Sequence, residues 1–120
     1  AAGRDWMVGN AGNDAIWGGD DADVLSGGAG DDYILGEAAP DLLYGGDGND
    51  VFVFGRNDGL DWIFGEDGAD TLYFRDRTAA EVASLAPPAG SYGVLTFTDG
   101  AYVLFTGIEW VQFADRGWAI

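Results

Sequence analysis

Gly27-Gly28-Ala29-Gly30-Asp31-Asp32-Tyr33-Ile34-Leu35 and Gly45-Gly46-Asp47-Gly48-Asn49-Asp50-Val51-Phe52-Val53 share one form, G-G-x-G-x-D-x-U-x, where U is a large apolar residue. A degenerate copy, Gly36-Glu37-Ala38-Ala39-Pro40-Asp41-Leu42-Leu43-Tyr44, lies between them. Outward from this stretch the sixth-position Asp keeps time. Asp5, Asp14, Asp23, Asp32, Asp41 and Asp50 recur every nine residues, and after a two-residue insertion within Arg56–Leu60 the beat resumes at Asp61 and Asp70. Two places after these Asp residues stand Met7, Ile16, Leu25, Ile34, Leu43, Phe52, Ile63 and Leu72, all apolar. The chain opens one residue short of a repeat, which implies a cut from a longer protein, and no charged-then-apolar leader is visible.

Each nonamer divides into two physical parts. Its Gly-rich six residues are unsuited to a helix or strand interior, but they turn sharply through positive φ. The next three alternate, with U inward and its neighbours outward. A strand this short needs copies of itself on both edges and a shared apolar interior. Two nonamers give one coil of 18 residues, so the Asp residues fall on two edges. One edge carries Asp5, Asp23, Asp41 and Asp61; the other carries Asp14, Asp32, Asp50 and Asp70.

Such stacking sets carboxylates about 4.8 Å apart. At an effective dielectric near 20, each neighbouring pair repels by roughly 3 kcal/mol. Several such pairs rival the stability of a small domain. A divalent cation between turns reverses the sign. Calcium fits best, because it accepts six to eight oxygens in flexible geometry from carboxylates and carbonyls. Zinc prefers nitrogen or sulfur, and the chain has neither His nor Cys.

Composition narrows the function. Acidic residues number 21 against five arginines, a net charge of −16. Residues 1–71 hold 14 Asp, two Glu and two Arg; residues 72–120 hold three Asp, two Glu and three Arg, so the acidity sits in the repeats. This charge repels nucleic acid and anionic membranes, and no apolar run is long enough for a membrane span. The aromatic and branched content argues against disorder. No EF-hand loop, phosphate-binding glycine motif or nucleophile elbow is present, and Ser26, Ser84 and Ser91 have no histidine partner. The sequence contains no catalytic constellation. Asp20, Asp31, Asp58, Asp76, Asp99 and Asp115 fall off the nine-residue beat and read as solubilising residues.

The repeats resemble the repeats-in-toxin (RTX) family of secreted haemolysins, serralysin-type proteases, lipases, adenylate cyclase toxins and alginate epimerase modules. The resemblance implies an all-β, right-handed parallel β-roll with several calcium ions between its turns. It also implies a ligand pattern. One turn supplies carbonyls from positions two and four with its Asp; the next supplies carbonyls from positions one and three with its own Asp. Carried onto this chain, Asn10, Gly12 and Asp14 face Gly27, Ala29 and Asp32; Gly28, Gly30 and Asp32 face Gly45, Asp47 and Asp50; and Gly46, Gly48 and Asp50 face Gly65, Asp67 and Asp70.

The edges differ in quality. The Asp14 edge keeps glycine at position four and is expected to be fully occupied. On the other edge Asp21 replaces that glycine, tolerably because Asp visits the left-handed region. Ala39-Pro40 is less tolerable, since proline restricts both itself and its predecessor. Asp5 and Asp23 are expected to share an ion, with weaker sites at Asp41. The outward positions Trp6, Trp17, Tyr33, Leu35, Leu42, Tyr44, Val51, Val53, Trp62 and Phe64 make unusually apolar outer faces. These suggest a covering segment, self-association, or an adhesion role toward an extracellular polysaccharide or cell surface.

Residues 1–74 are thus expected to form the roll, with 75–120 a capping segment. Thr78-Ala79-Ala80-Glu81 has capping-box form and, ahead of Pro87-Pro88, predicts a short helix over 79–86. Val94–Thr98 and Ala101–Thr106 flank Asp99-Gly100, predicting a hairpin with a two-residue turn. Ile108–Phe113 predicts a strand and Trp118–Ile120 an apolar tail. The RTX resemblance further implies a bacterial protein exported by type I secretion machinery, with a module that folds on extracellular calcium.

Overall fold

The computed structural model describes residues 6–55, 61–86 and 93–119. Asp5 and the insertion at 56–60 therefore lie outside the described residues, as do Pro87, Pro88, Ser91 and Ile120. The repeats form eight short strands: β1 (Trp6–Val8), β2 (Ala15–Gly19), β3 (Val24–Ala29), β4 (Tyr33–Glu37), β5 (Leu42–Asp47), β6 (Val51–Phe54), β7 (Trp62–Phe64) and β8 (Thr71–Phe74). Odd strands stack in parallel in one sheet and even strands in the other. The chain therefore crosses between sheets at every turn, as an all-β parallel solenoid.

Register follows the repeat. Trp6 pairs with Val24, Val24 with Leu42, and Leu42 with Trp62. On the second sheet Ala15 pairs with Tyr33, Tyr33 with Val51, and Val51 with Thr71. The strands on either side of the insertion keep the repeat register, and the position-eight residues keep their inward places. Leu25, Ile34, Leu43, Phe52, Ile63 and Leu72 are at most 1 % exposed. That inward column is the core; a one-residue slip would turn it to solvent.

The C-terminal segment lengthens both sheets. A single 3-10 turn (Ala79–Glu81) precedes β9 (Val82–Ala86), followed by β10 (Gly93–Phe97), β11 (Tyr102–Thr106), β12 (Trp110–Phe113) and β13 (Gly117–Ala119). Strand β11 pairs in parallel with β7, and β12 in parallel with β8. Antiparallel β10 and β9 then finish the first sheet, and antiparallel β13 the second. Phe105 and Val111 continue the inward column, both fully buried.

Two local expectations fail here. The helix over 79–86 is one turn only. Glu81 accepts the Thr78 N–H at 2.7 Å, so the capping box forms, but Val82–Ala86 is drawn into antiparallel pairing with β10. Ladder bonds and β-branched Val82 outweigh the weak helical signal. The hairpin turn is also longer than two residues. Gly100 N–H donates to the Phe97 carbonyl at 3.0 Å, and only Gly100 has positive φ, which makes a three-residue turn Thr98-Asp99-Gly100. Val53, an outward position of its repeat, is covered. It stands beside Tyr73 in the ladder and is 5 % exposed.

One side of the interior is aromatic. Phe54 and Phe74 stack at 5.1 Å, Phe74 and Phe113 at 5.5 Å, and Phe97 meets Phe74 edge-on at 5.0 Å. Arg77 is 4 % exposed, with its guanidinium 4.1 Å from the Phe97 ring centre and 3.1 Å from Asp99. The arginine covers the end of the aromatic stack, and Asp99 answers its charge.

Candidate metal centre

The Gly-rich turns superimpose along two edges of the solenoid. Turns 9–14, 27–32, 45–50 and 65–70 share one edge. Positions two and four of these turns have positive φ, for example Gly28 at 91° and Gly30 at 115°. Asn10 and Glu66 also hold positive φ at position two, and Glu37 and Ala39 hold it in the degenerate turn. The backbone path thus survives Pro40 without its glycines, at the cost of strain at Ala39. Asp21 does not take the left-handed conformation expected of it; Gly19, at 104°, does.

The Asp residues form hydrogen-bonded ladders. Asp14 N–H donates to Asp32 Oδ1 at 2.8 Å, Asp32 N–H to Asp50 Oδ1 at 2.9 Å, and Asp50 N–H to Asp70 Oδ1 at 2.8 Å. On the other edge Asp23 N–H donates to Asp41 Oδ1 and Asp41 N–H to Asp61 Oδ1, both at 2.8 Å. Asp32, Asp50 and Asp70 are at most 1 % exposed. One oxygen of each is therefore accounted for. Oδ2 of Asp14, Asp32, Asp50 and Asp70 is buried and accepts no hydrogen bond.

Those second oxygens face carbonyls. A methyl group placed on Gly9 would lie 2.5 Å from Asp14 Oδ2 and 2.6 Å from the Gly27 carbonyl oxygen. The same test at Gly27 meets Asp32 Oδ2 and the Gly45 carbonyl oxygen, and at Gly45 it meets Asp50 Oδ2 and the Gly65 carbonyl oxygen. Each step of the edge thus converges a carboxylate oxygen and a carbonyl oxygen from the next turn on the space beside a glycine. Buried oxygens facing each other without a proton between them are costly. Burial pushes Asp50 up to about 6, against the pull of the Asp32 N–H and with help from the Asp32 and Asp31 charges. Burial pushes Asp70 up to about 7; the Asp50 N–H opposes this, while the charges of Asp50, Glu109 and Glu66 add to it.

The donor set suits calcium. Among the described residues no three carboxylates converge, so an ion held between turns would need carbonyl oxygens to complete its shell. The structure brings together the expected turns. Gly28 pairs with Gly46 and Ala29 with Asp47. Ala29 N–H donates to the Asn10 carbonyl at 2.7 Å, Gly12 N–H to the Ala29 carbonyl at 2.9 Å, and Gly30 N–H to the Asp47 carbonyl at 3.0 Å. Asn10, Ala29 and Asp47 therefore already use one carbonyl lone pair each, with a second remaining. A methyl group on Gly68 would overlap the Gly48 carbonyl oxygen, so the 65–70 turn, with Asp67, stacks on the 45–50 turn.

Two features escaped the sequence reading. A position-five ladder runs beside the Asp ladder in the opposite direction: Asp31 N–H donates to Asn13 Oδ1 at 2.9 Å, Asn49 N–H to Asp31 Oδ1 at 2.8 Å, and Ala69 N–H to Asn49 Oδ1 at 2.9 Å. Asp31 is thus a spacer between turns rather than a solubilising residue. Asp99 and Asp115 also have structural partners, the latter accepting the Ala79 N–H at 2.9 Å. The second feature is Glu109, which accepts the Asp70 N–H at 2.8 Å and so adds a rung to the Asp14 edge. Its signal was present in Gly107-Ile108-Glu109-Trp110-Val111, an acid two places before an inward apolar residue.

Two stacked sheets joined by acid-lined glycine turns define a parallel β-roll built for oxygen-ligated cations. The RTX calcium-binding nonapeptide repeat (4 copies) matches residues 1–34, 26–59 and 57–76, which is more than half of the chain. The chain belongs to that family. Its repeats bind calcium, and their number implies several ions. No curated protein matches the chain. No helix among the described residues is long and apolar enough to cross a membrane.

Proposed function

We propose that this chain is a calcium-triggered folding module of a secreted bacterial protein, with residues 1–74 as the calcium-binding roll and 75–120 as the segment that closes its end. Asp5, Asp14, Asp23, Asp32, Asp41, Asp50, Asp61 and Asp70 are the carboxylate ligands, with the carbonyls of the stacked turns completing each shell. The observation that carries the reading is the row of buried Oδ2 atoms on Asp14, Asp32, Asp50 and Asp70, each without a hydrogen-bond donor. Bound calcium supplies the positive charge that this row lacks. Where calcium is scarce, the ladders repel and the chain stays unfolded, as passage through type I secretion machinery requires. In millimolar extracellular calcium, the turns close on one another and the strands pair. Circular dichroism of the purified chain tests this: strand signal should rise cooperatively with calcium and vanish in chelator. Equal folding in both conditions refutes it.

A second reading is favoured by one surface. Trp6, Val24, Leu42, Trp62 and Leu104 form a row across five adjacent strands of the outer face of the first sheet. Trp6 is 79 % exposed and Trp62 41 %. With Pro40 and Tyr102 they line a groove of about 860 Å³. Flat aromatic rings over an apolar floor suit the faces of sugar rings, and an extracellular polysaccharide is the corresponding ligand. Retention of the calcium-loaded chain on a polysaccharide matrix, lost in Trp62→Ala, separates this role from folding alone.

A further inference from the structure

We propose that the chain holds a calcium ion beyond its repeats, between the 65–70 turn and the non-repeat turn Gly107–Glu109, with the Asp70 and Glu109 carboxylates and the Gly107 carbonyl as ligands. The inference rests on reading the Asp ladders as calcium sites. It begins with register. Phe64 pairs with Thr106 and Thr71 with Trp110, so six residues on one coil lie against three on the next. The shorter turn cuts the corner, and its acid stands directly across from Asp70. Glutamate carries one methylene more than aspartate, which supplies the reach that the shortened backbone gives up. Glu109 Oε1 then accepts the Asp70 N–H, as each repeat Asp accepts the N–H of the coil before it.

The remaining oxygens repeat the pattern inside the roll. Asp70 is fully buried, and its Oδ2 accepts no hydrogen bond. A methyl group on Gly65 would lie 2.6 Å from Asp70 Oδ2 and would overlap the Gly107 carbonyl oxygen. This is the same convergence found beside Gly27 and Gly45, now between a repeat and a non-repeat turn. Ile108 is 4 % exposed and fills the corner on the core side. The opposite edge is built differently. Trp62 pairs with Leu104 there, which sets apolar Val103 across from Asp61. The three-residue turn brings fewer carbonyls than a full repeat, so this site binds more weakly than those between repeats and fills last.

Counting bound ions on the whole chain by native mass spectrometry tests the site. Glu109→Gln keeps an amide oxygen for the Asp70 N–H and removes only the charge. At saturating calcium it should carry one ion fewer than wild type. Asp115→Asn, an equal charge change elsewhere in the same segment, should carry the full number. An unchanged count in Glu109→Gln overturns this site alone, whereas a wild type without bound calcium overturns the ladder reading beneath it. Should Glu109→Gln fail to fold, terbium added to the wild type gives the answer by NMR. Amide signals of Ile108, Glu109 and Trp110 should broaden along with those of the 27–32 and 45–50 turns, and their persistence while the turn signals vanish removes the proposal.

Discussion

Asp50→Asn should stabilise the calcium-free chain and weaken the calcium-loaded one. Asp50 lies between Asp32 and Asp70 on the ladder, fully buried, with burial and neighbouring charge raising its carboxyl from 3.8 to about 6. A rise of about two units corresponds to roughly 3 kcal/mol against the fold once the group is ionised. Bare Coulomb repulsion from two neighbours about 4.8 Å away gives roughly twice that at an effective dielectric near 20. The smaller figure is the better guide, because the Asp32 N–H bonded to Oδ1 offsets part of the repulsion. Asparagine retains that acceptor. Its amide nitrogen replaces Oδ2, close to the Gly45 and Gly65 backbone, where it can donate to a carbonyl for about another 1 kcal/mol. In chelator near pH 8, Asp50→Asn should therefore be about 4 kcal/mol more stable than wild type by denaturant titration. If the chelated chains are unfolded, folding driven by an excluded osmolyte reads the same difference. In saturating calcium the order should invert, with a higher calcium midpoint by circular dichroism, because the two steps that share Asp50 each lose a charge. An Asp50→Asn protein less stable than wild type in chelator refutes the charge-ladder argument.

The remaining predictions use the same structure. The raised carboxyls of Asp50 and Asp70 mean that the folded chain binds more protons than the unfolded chain between about pH 4 and about pH 7, so calcium-free stability should fall as pH rises through that window and grow on acidification; a melting series in chelator checks the sign. Gly28→Ala places a methyl group on the Asn10 carbonyl at a φ of 91°, and it should cost well over the roughly 1–2 kcal/mol of left-handed strain alone, whereas Gly12→Ala, with φ of 104° but open space around it, should cost little more than that strain. Their calcium midpoints should separate accordingly. Arg77→Met removes the contact with Phe97 and the ion pair with half-exposed Asp99, for a loss of roughly 2 kcal/mol in thermal unfolding, with the bound-ion count unchanged.

The repeat region was legible from sequence because its information is local and periodic. The beat of Asp5 to Asp70 and of Met7 to Leu72 leaves one way to stack short strands with acids on the edges and U residues inside. The inward column and the two ladders follow from that period alone, Asp5 lying outside the described residues. The C-terminal segment has no period, and its structure depends on partners far away in the chain. Val82 and Leu85, three residues apart, share a face of a helix but not of a regular strand; pairing with β10 makes the segment a strand, and the register shift at Thr96/Phe97 lets both side chains reach the core. Arg77 reads as a surface charge until Phe97 and Asp99 close over it. Glu109 reads as one more acid until β12 docks beside β8 and sets it across from Asp70. Short-range repetition determined the roll and its affinity for a hard cation; long-range strand pairing decided where the acid ladder ends, because a rung exists only where two turns are brought into register.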